Sequence, residues 1–301
     1  MTVLEELAAT VGTVDERVAT AVVAIGRDRR GAGFVVGDGL VVTNAHHLRD
    51  RTTQVTFTDG RSVQAEVRAA DVEGDLAVLG VDTAGATPIA WSDTTPSPGT
   101  VVFAAVLGPH GRRVTFGAVS GVRAEFRGPR GRRIRGSLEH TAPLARGSSG
   151  GPLLDADGAL VGINTHRLGD GFYLALAASD DLRRRVDELA AGRPPRRRRL
   201  GVSVVPSAVA RRLRRAVGLA ERDGLLVRGV EDGSPAAAAG VQGGDLITSA
   251  GGVAVQDADD LWSVLDGLAP DGTVTVELGL VRGAEELTVT VTFPADPTAE
   301  G

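Results

Sequence analysis

Arg146–Thr165 reads RGSSGGPLLDADGALVGINT, and its two halves point in different directions. Taken alone, Gly147 to Gly151 (GSSGG) has the composition of a flexible tether. From Pro152 onward the chain carries two short apolar runs around Asp155-Ala156-Asp157-Gly158, a turn sequence that joins the strands of one hairpin. A glycine-serine turn pinned against a hydrophobic hairpin is rigid, and its glycines then serve unusual dihedrals or close backbone approach.

Outward from this hairpin the same grammar repeats. Short apolar β-type runs (AVVAI, GAGFVVGDGLVVTN, TTQVTFTDG, DLAVLGV, VVFAAVLG, FGAVSGV) alternate with Gly, Asp-Gly and Pro turns from Ala21 to Ile163, with almost no helical spacing between them. This predicts antiparallel barrels or a sandwich. Before them, residues 3–19 have helical spacing, with Leu4, Leu7, Ala8 and Val11 on one side. After them, Ser179 caps a helix whose Leu182, Val186 and Leu189 share a face, and Gly192 with Pro194-Pro195 stops it. RPPRRRR (193–199) reads as a linker. From Leu200 the pattern becomes mixed: strands LGVSVV, GLLVRGV and DLITSAGG, helices SPAAAAG and DADDLWSVLDGL, then strands TVTVELGLV and ELTVTVTF, an α+β module.

The 301 residues, 42% of them hydrophobic, suffice for two domains with real cores. The absence of cysteine excludes disulfides, zinc-thiolate sites and a cysteine nucleophile. The acidic N-terminus lacks the charge pattern of a secretory signal, and VATAVVAI is too short to span a bilayer; with no signal peptide or transmembrane helix read, the expectation is a cytoplasmic protein, or a cell-envelope one if an upstream anchor is missing. A net charge of −5 argues against a nucleic-acid partner, so the clusters Arg127, Arg130, Arg132, Arg133, Arg135 and Arg196–Arg199 read as solvated loops.

A hydroxyl nucleophile at neutral pH needs a base, and the base needs an orienting group. Of five histidines, His46 and His47 stand where the apolar run LVVT meets a polar loop. Asp75 opens the apolar run LAVLGV, and Ser148 and Ser149 follow much later. The order is His, Asp, Ser, with two histidines and two serines still open.

Five co-linear stretches settle these alternatives by resemblance. GAGFVVGDGLVVTNAHH, DVEGDLAVLGVD, LGPHGRRVTFGAVSGV, GSSGGPLLDADGALVGINT and, after the linker, LGV with GSPAAAAGVQGGDLI resemble the HtrA-type (Deg family) trypsin-like serine proteases. The resemblance implies a chymotrypsin/trypsin-like double β-barrel protease domain over 1–192 (with a helical segment at 1–20), a linker over 193–199, a PDZ domain over 200–296 and a tail over 297–301. The family's TNxH, DLAVL and GxSGGP patterns place the histidine at His46, the aspartate at Asp75 and the nucleophile at Ser149, with Gly147 and Ser149 supplying the oxyanion-hole N–H groups. His47 becomes a neighbour, Ser148 the variable position, and Asp71 a surface turn residue. No metal or cofactor is implied.

The implied activity is ATP-independent endoproteolysis of unfolded or exposed polypeptides. The PDZ domain would bind peptide C-termini through Leu200, Gly201 and Val202, with Trp262 and Leu265 near the groove; Leu265 reads equally well as core, and Arg199, next to the turn and within reach of a carboxylate, reads first as solvated linker. A homo-trimer is the family's candidate assembly, although the chain's first aromatic residue is Phe34. The chain departs from the family at Thr141–Ser148 (TAPLARGS), and Pro143, six residues before the nucleophile, points to cleavage after small or aliphatic residues. Two other readings stay open: a protease-shaped chaperone or peptide receptor, and a protease latent until its PDZ groove is filled, the Arg127–Arg135 stretch lying where relatives carry a coupling loop.

Overall fold

Alternating apolar runs and tight turns pair as antiparallel hairpins that close on themselves twice, which removes exposed sheet edges. The computed structural model describes residues 2–127, 133–195, 197–269 and 272–295; Arg130, Arg132, Arg196, the 297–301 tail, and the side chains of Arg127 and Arg135 lie outside this description. The chain divides into two compact units, Met1–Pro195 and Arg196–Gly301.

The first unit opens with helix α1 (Val3–Arg17), whose Thr2 cap and Glu5 form a reciprocal capping box. Strands β1 (Val22–Ile25), β2 (Gly31–Gly37) and β3 (Leu40–Thr43) follow, then a short 3-10 turn (Ala45–His47), β4 (Thr52–Thr56), β5 (Ser62–Asp71) and β6 (Leu76–Gly80). They close in the order β1-β2-β3-β6-β5-β4. A second barrel is built from β7 (Val101–Gly108), β8 (Gly111–Arg127), β9 (Arg133–His140), β10 (Pro152–Leu154), β11 (Leu160–Gly169) and β12 (Phe172–Ala177), in the order β10-β11-β12-β9-β8-β7. One continuous core runs through both barrels, including Phe34, Leu76 and Leu79 from the first and Phe103, Leu154 and Ile163 from the second.

Two strands escaped the sequence reading. β5 alternates apolar and charged positions as a half-exposed strand does, and β9 carries Arg133 and Arg135, which the sequence reading had placed in a solvated loop; Arg133 pairs with Glu125 across the hairpin at 3.4 Å. The helices behave as staples. Leu4 of α1 stays exposed while Val14 enters the core, and Arg112 reaches from β8 to grip Asp15 with two 2.5 Å hydrogen bonds. Helix α2 (Asp180–Ala190) is capped by Ser179 and buries Leu182, Val186 and Leu189 as expected.

Asp71 corrects an expectation of direct consequence. It is 2% exposed rather than a surface turn residue. One carboxylate oxygen accepts from the Gly74 N–H at 2.9 Å and the other from Arg185 of α2 at 3.0 Å, while Arg185 also binds the Gly74 carbonyl. A Cβ at Gly74 would lie 2.2 Å from that guanidinium, so the turn leading into Asp75 is clamped between strand and helix.

The second unit contains β13 (Val202–Val205), α3 (Ser207–Ala216), β14 (Leu225–Val230), α4 (Pro235–Ala238), β15 (Leu246–Ala250), β16 (Val253–Ala254), α5 (Ala258–Asp266), β17 (Val274–Arg282) and β18 (Glu285–Phe293). The sheet order β13-β14-β15-β17-β18 leaves β13 at an edge. Helix α3 was absent from the sequence reading, and Arg198, read as linker, donates to the carbonyls of Ala269, Gly272 and Pro294.

Breaking one partner of a buried ion pair leaves the other charge uncompensated and costs about 3–5 kcal/mol. Asp71→Ala is therefore expected to lower the unfolding free energy by about that much in urea denaturation, whereas Asp59→Ala, at an exposed pair, stays within about 0.5 kcal/mol.

Candidate active site

Thr43 ends β3, and the chain turns through Asn44 into the 3-10 turn that carries His46 and His47 side by side, their ring centroids 4.1 Å apart. The side chains diverge. His46, 32% exposed, places Nδ1 2.9 Å from both carboxylate oxygens of Asp75. A carboxylate only accepts, so Nδ1 carries the proton and Nε2 is the ring's basic nitrogen. The His46 backbone N–H also donates to Asp75, at 3.1 Å.

Asp75 is buried and takes a left-handed backbone conformation (φ 53°) between the clamped turn and β6, a conformation aspartate tolerates better than most residues. Its second oxygen accepts from Thr165 Oγ1 at 2.8 Å, and its carbonyl accepts from Asn44 Nδ2 at 2.8 Å. The carboxylate is thus fixed from both barrels.

Ser149 lies in the loop between β9 and β10. Its carbonyl accepts from the Ala32 N–H and from His47 Nε2, each at 2.9 Å. Gly150 (φ 87°) follows so tightly that a Cβ there would stand 2.2 Å from the Ala32 carbonyl, and its N–H donates to the Asn164 carbonyl at 2.7 Å. Close backbone approach is therefore the job of this glycine. Gly147 is left-handed too (φ 84°), facing the Arg29 carbonyl. Among the described residues, neither the Gly147 nor the Ser149 N–H has a protein acceptor, and the Ser149 hydroxyl makes no hydrogen bond. Catalytic hydrogen bonds of unliganded sites commonly tighten only on substrate binding. Ser148 is buried.

The structure thus joins His46 and Asp75 directly and brings in Ser149 through its backbone. Residues missed in the sequence are the supports: Thr165 on Asp75, His47 on the Ser149 carbonyl, and Gly31, where a Cβ would meet the His47 ring at 2.5 Å. His140 is a further one. Its Nε2 donates to Asn164 Oδ1 at 2.9 Å, while Asn164 Nδ2 donates to the carbonyls of Gly151 and Pro152. Burial pushes both His47 and His140 down to about 4. The segment that departs from the family is stitched in place by Thr115 Oγ1 on the Pro143 carbonyl at 2.8 Å and by Arg167 on the Leu144 carbonyl.

In the second unit, Gly201 is left-handed (φ 80°), the Leu200 carbonyl accepts from the Ala236 N–H, and Val202 opens the edge strand. Leu200 and Leu265 lie in that unit's core, 3% and 4% exposed, so the core role of Leu265 is the one seen; Trp262 is half-buried. Arg199 stands 4.0 Å from Glu231.

A family model for the trypsin-like peptidase domain matches residues 31–163, and one for the PDZ domain matches 199–293. The chain is 33% identical to a probable periplasmic serine endoprotease DegP-like of Brucella suis, over 90% of its own length and 54% of that protein's; it spans about half of this relative. It is 32% identical to the putative serine protease HhoA of Synechocystis, with 88% and 71% covered. Among solved structures it resembles the serine endoprotease from Yersinia pestis (24% identical, TM-score 0.69, 95% and 98% covered) and the HtrA-type protease AlgW with decapeptide (22%, TM-score 0.73, 95% and 99% covered), a likeness of fold.

Relatives from Brucella, Halomonas and Rhizobium are named as periplasmic. They overturn the cytoplasmic expectation drawn from the N-terminal residues and point to the cell envelope. Among the described residues no helix is long and apolar enough to cross a membrane.

The two buried histidines make stability depend on pH. Each ring is lowered from 6.5 to about 4, so between these values the unfolded chain binds more protons than the folded one. Their contribution is fully present above pH 6.5 and is lost as the pH falls toward 4, by up to about 3 kcal/mol per ring. Urea midpoints are expected to fall from pH 7 to 4.5, and His140→Gln to flatten that slope; an unchanged slope would contradict neutral burial of His140.

With two barrels, a PDZ module and matching relatives, the chain belongs to the HtrA-type family of trypsin-like serine proteases.

Proposed function

We propose that the chain is an ATP-independent serine endopeptidase acting on unfolded or exposed polypeptides. The observation that carries this reading is the Asp75–His46 pair at 2.9 Å, with the Ser149 loop held against the same turn by His47. Ser149 Oγ attacks the peptide carbonyl, and His46 Nε2 takes its proton and later delivers it to the leaving amine. Asp75 holds the Nδ1–H tautomer and stabilises the imidazolium that forms; Thr165 keeps the carboxylate in place. The Gly147 and Ser149 N–H groups stabilise the oxyanion, a role worth on the order of 100-fold or more in turnover per donor.

The substrate residues before the scissile bond pair along β11 from Thr165 to Arg167, beyond the stretch where that strand is bonded to β10. The Pro143 segment provides no acidic group for a basic side chain, which supports cleavage after small or aliphatic residues. At the second unit, the outer edge of β13 receives a peptide C-terminus by strand addition, its carboxylate at the Leu200–Val202 turn; the free edge of β13 and the left-handed Gly201 support this reading. The domain limits of the sequence reading, 1–192 and 200–296, frame these two sites.

Fluorophosphonate labelling and casein digestion test the assignment together. Wild type is expected to be labelled and to cleave; Ser149→Ala abolishes both, and Asp75→Asn lowers turnover on the order of 10⁴-fold. Cleavage persisting in Ser149→Ala would refute the nucleophile, and polypeptide binding without labelling or cleavage would favour a receptor. A digest dominated by cuts after arginine or lysine would refute the aliphatic preference.

A further inference from the structure

The Ser149 loop has two flanks. On one, Gly150 and Gly151 exchange backbone hydrogen bonds with Asn164 of β11; on the other, the Ser149 carbonyl binds Ala32 at the start of β2. A cleft opens on this second flank, lined by Asp28, Arg29, Arg30, Arg113, Arg146 and the backbone of Gly147. Its walls come from the β1–β2 turn, the β7–β8 hairpin and the nucleophile loop itself.

The charge of this cleft runs against that of the molecule. The chain carries a net −5, yet four arginines and a single acidic residue, Asp28, line the cleft. Arg30, Arg113 and Arg146 are exposed, and among the described residues none of the four forms an ion pair. Arg29 is positioned by the fold: its backbone is left-handed (φ 47°), its Nη1 donates to the Gly108 carbonyl at 3.0 Å, and its own carbonyl packs against Gly147. The concentration of cations at the reacting loop thus arises from three converging elements.

A substrate whose acyl half lies along β11 crosses Ser149 and leaves its other half over this cleft. We infer that the arginine-lined cleft is a specificity site for carboxylates just C-terminal to the scissile bond, favouring aspartate or glutamate within the first three residues of the leaving half. This rests on the endopeptidase reading and adds to it the chemistry of the leaving-side substrate. Guanidinium groups suit the task because they offer paired N–H donors to a carboxylate and stay charged at every working pH. A carboxylate can come from an acidic side chain or from a chain end, and the internal side chain is the source assigned here.

Internally quenched peptides test it on the full chain. All share one sequence through a valine at the cut and differ in the next three residues: Asp-Glu-Ala, Ala-Ala-Ala or Lys-Lys-Ala, with amidated ends; a fourth ends as a free acid two residues after the cut. Each exposed guanidinium–carboxylate contact contributes a factor of about 1.5 to 5, so kcat/KM for Asp-Glu-Ala is expected to exceed that for Lys-Lys-Ala by about 10-fold. In the Arg30→Gln/Arg113→Gln double variant the ratio falls toward one while the Ala-Ala-Ala rate stays within about twofold, and added salt narrows the wild-type ratio. Equal rates for the amidated peptides, a ratio untouched by the double variant, or a preference confined to the free-acid peptide would each overturn the inference and leave the endopeptidase intact. Failure to cut any peptide, with wild type matching Ser149→Ala, would remove both.

Discussion

The carbonyl of Ser149 is the point on which the site hangs. It belongs to the second barrel, yet both of its donors, the Ala32 N–H and His47 Nε2, belong to the first. Two bonds of 2.9 Å across this seam hold the loop, and the surrounding chain has been cleared of side chains to let them form. Gly31 leaves room for the His47 ring, and Gly150 lets the loop backbone lie against the Ala32 carbonyl. Interiors packed as densely as crystals transmit such constraints without slack, so the Ser149 loop is positioned through its backbone.

The same seam orders Asp75 and His46. Asp75 is turned by a left-handed residue at the end of a turn that Asp71 and Arg185 lock to α2, and it is completed by Thr165 from the opposite barrel. His46 and His47 are consecutive residues with separate tasks. One faces Asp75 with a partly open ring; the other is buried, neutral and donating to a carbonyl. A short turn that splits two adjacent imidazoles in this way links the Asp75-bonded ring to the Ser149 loop through consecutive residues.

Much of this was legible beforehand, and the failures have physical reasons. GSSGGP, TNAHH and DLAVL singled out Ser149, His46 and Asp75, and the structure bonds His46 to Asp75 and ties the Ser149 backbone to the turn that carries His46. Asp71 was misread because a carboxylate in a Val-Glu-Gly turn looks solvated until Arg185, more than a hundred residues later, is brought to it. β5 and β9 were overlooked because charged residues on one face hide a two-residue period. Helix α3 was hidden for a related reason: it follows Pro206 without a capping side chain and is rich in arginine. His47 offered no signal, since its value lies in burial and in one long-range acceptor.

The central claim is that Asp75 fixes the proton of His46 on Nδ1 and so leaves Nε2 as the base for Ser149. Nitrogen NMR of histidine-labelled protein reads this directly. Neutral His46, assigned by comparison with His46→Gln, is expected as the Nδ1–H tautomer with a strongly downfield Nδ1 proton that disappears in Asp75→Ala. A neutral His46 found as the Nε2–H tautomer in the wild type, or an Nδ1 proton indifferent to the loss of Asp75, would contradict the account.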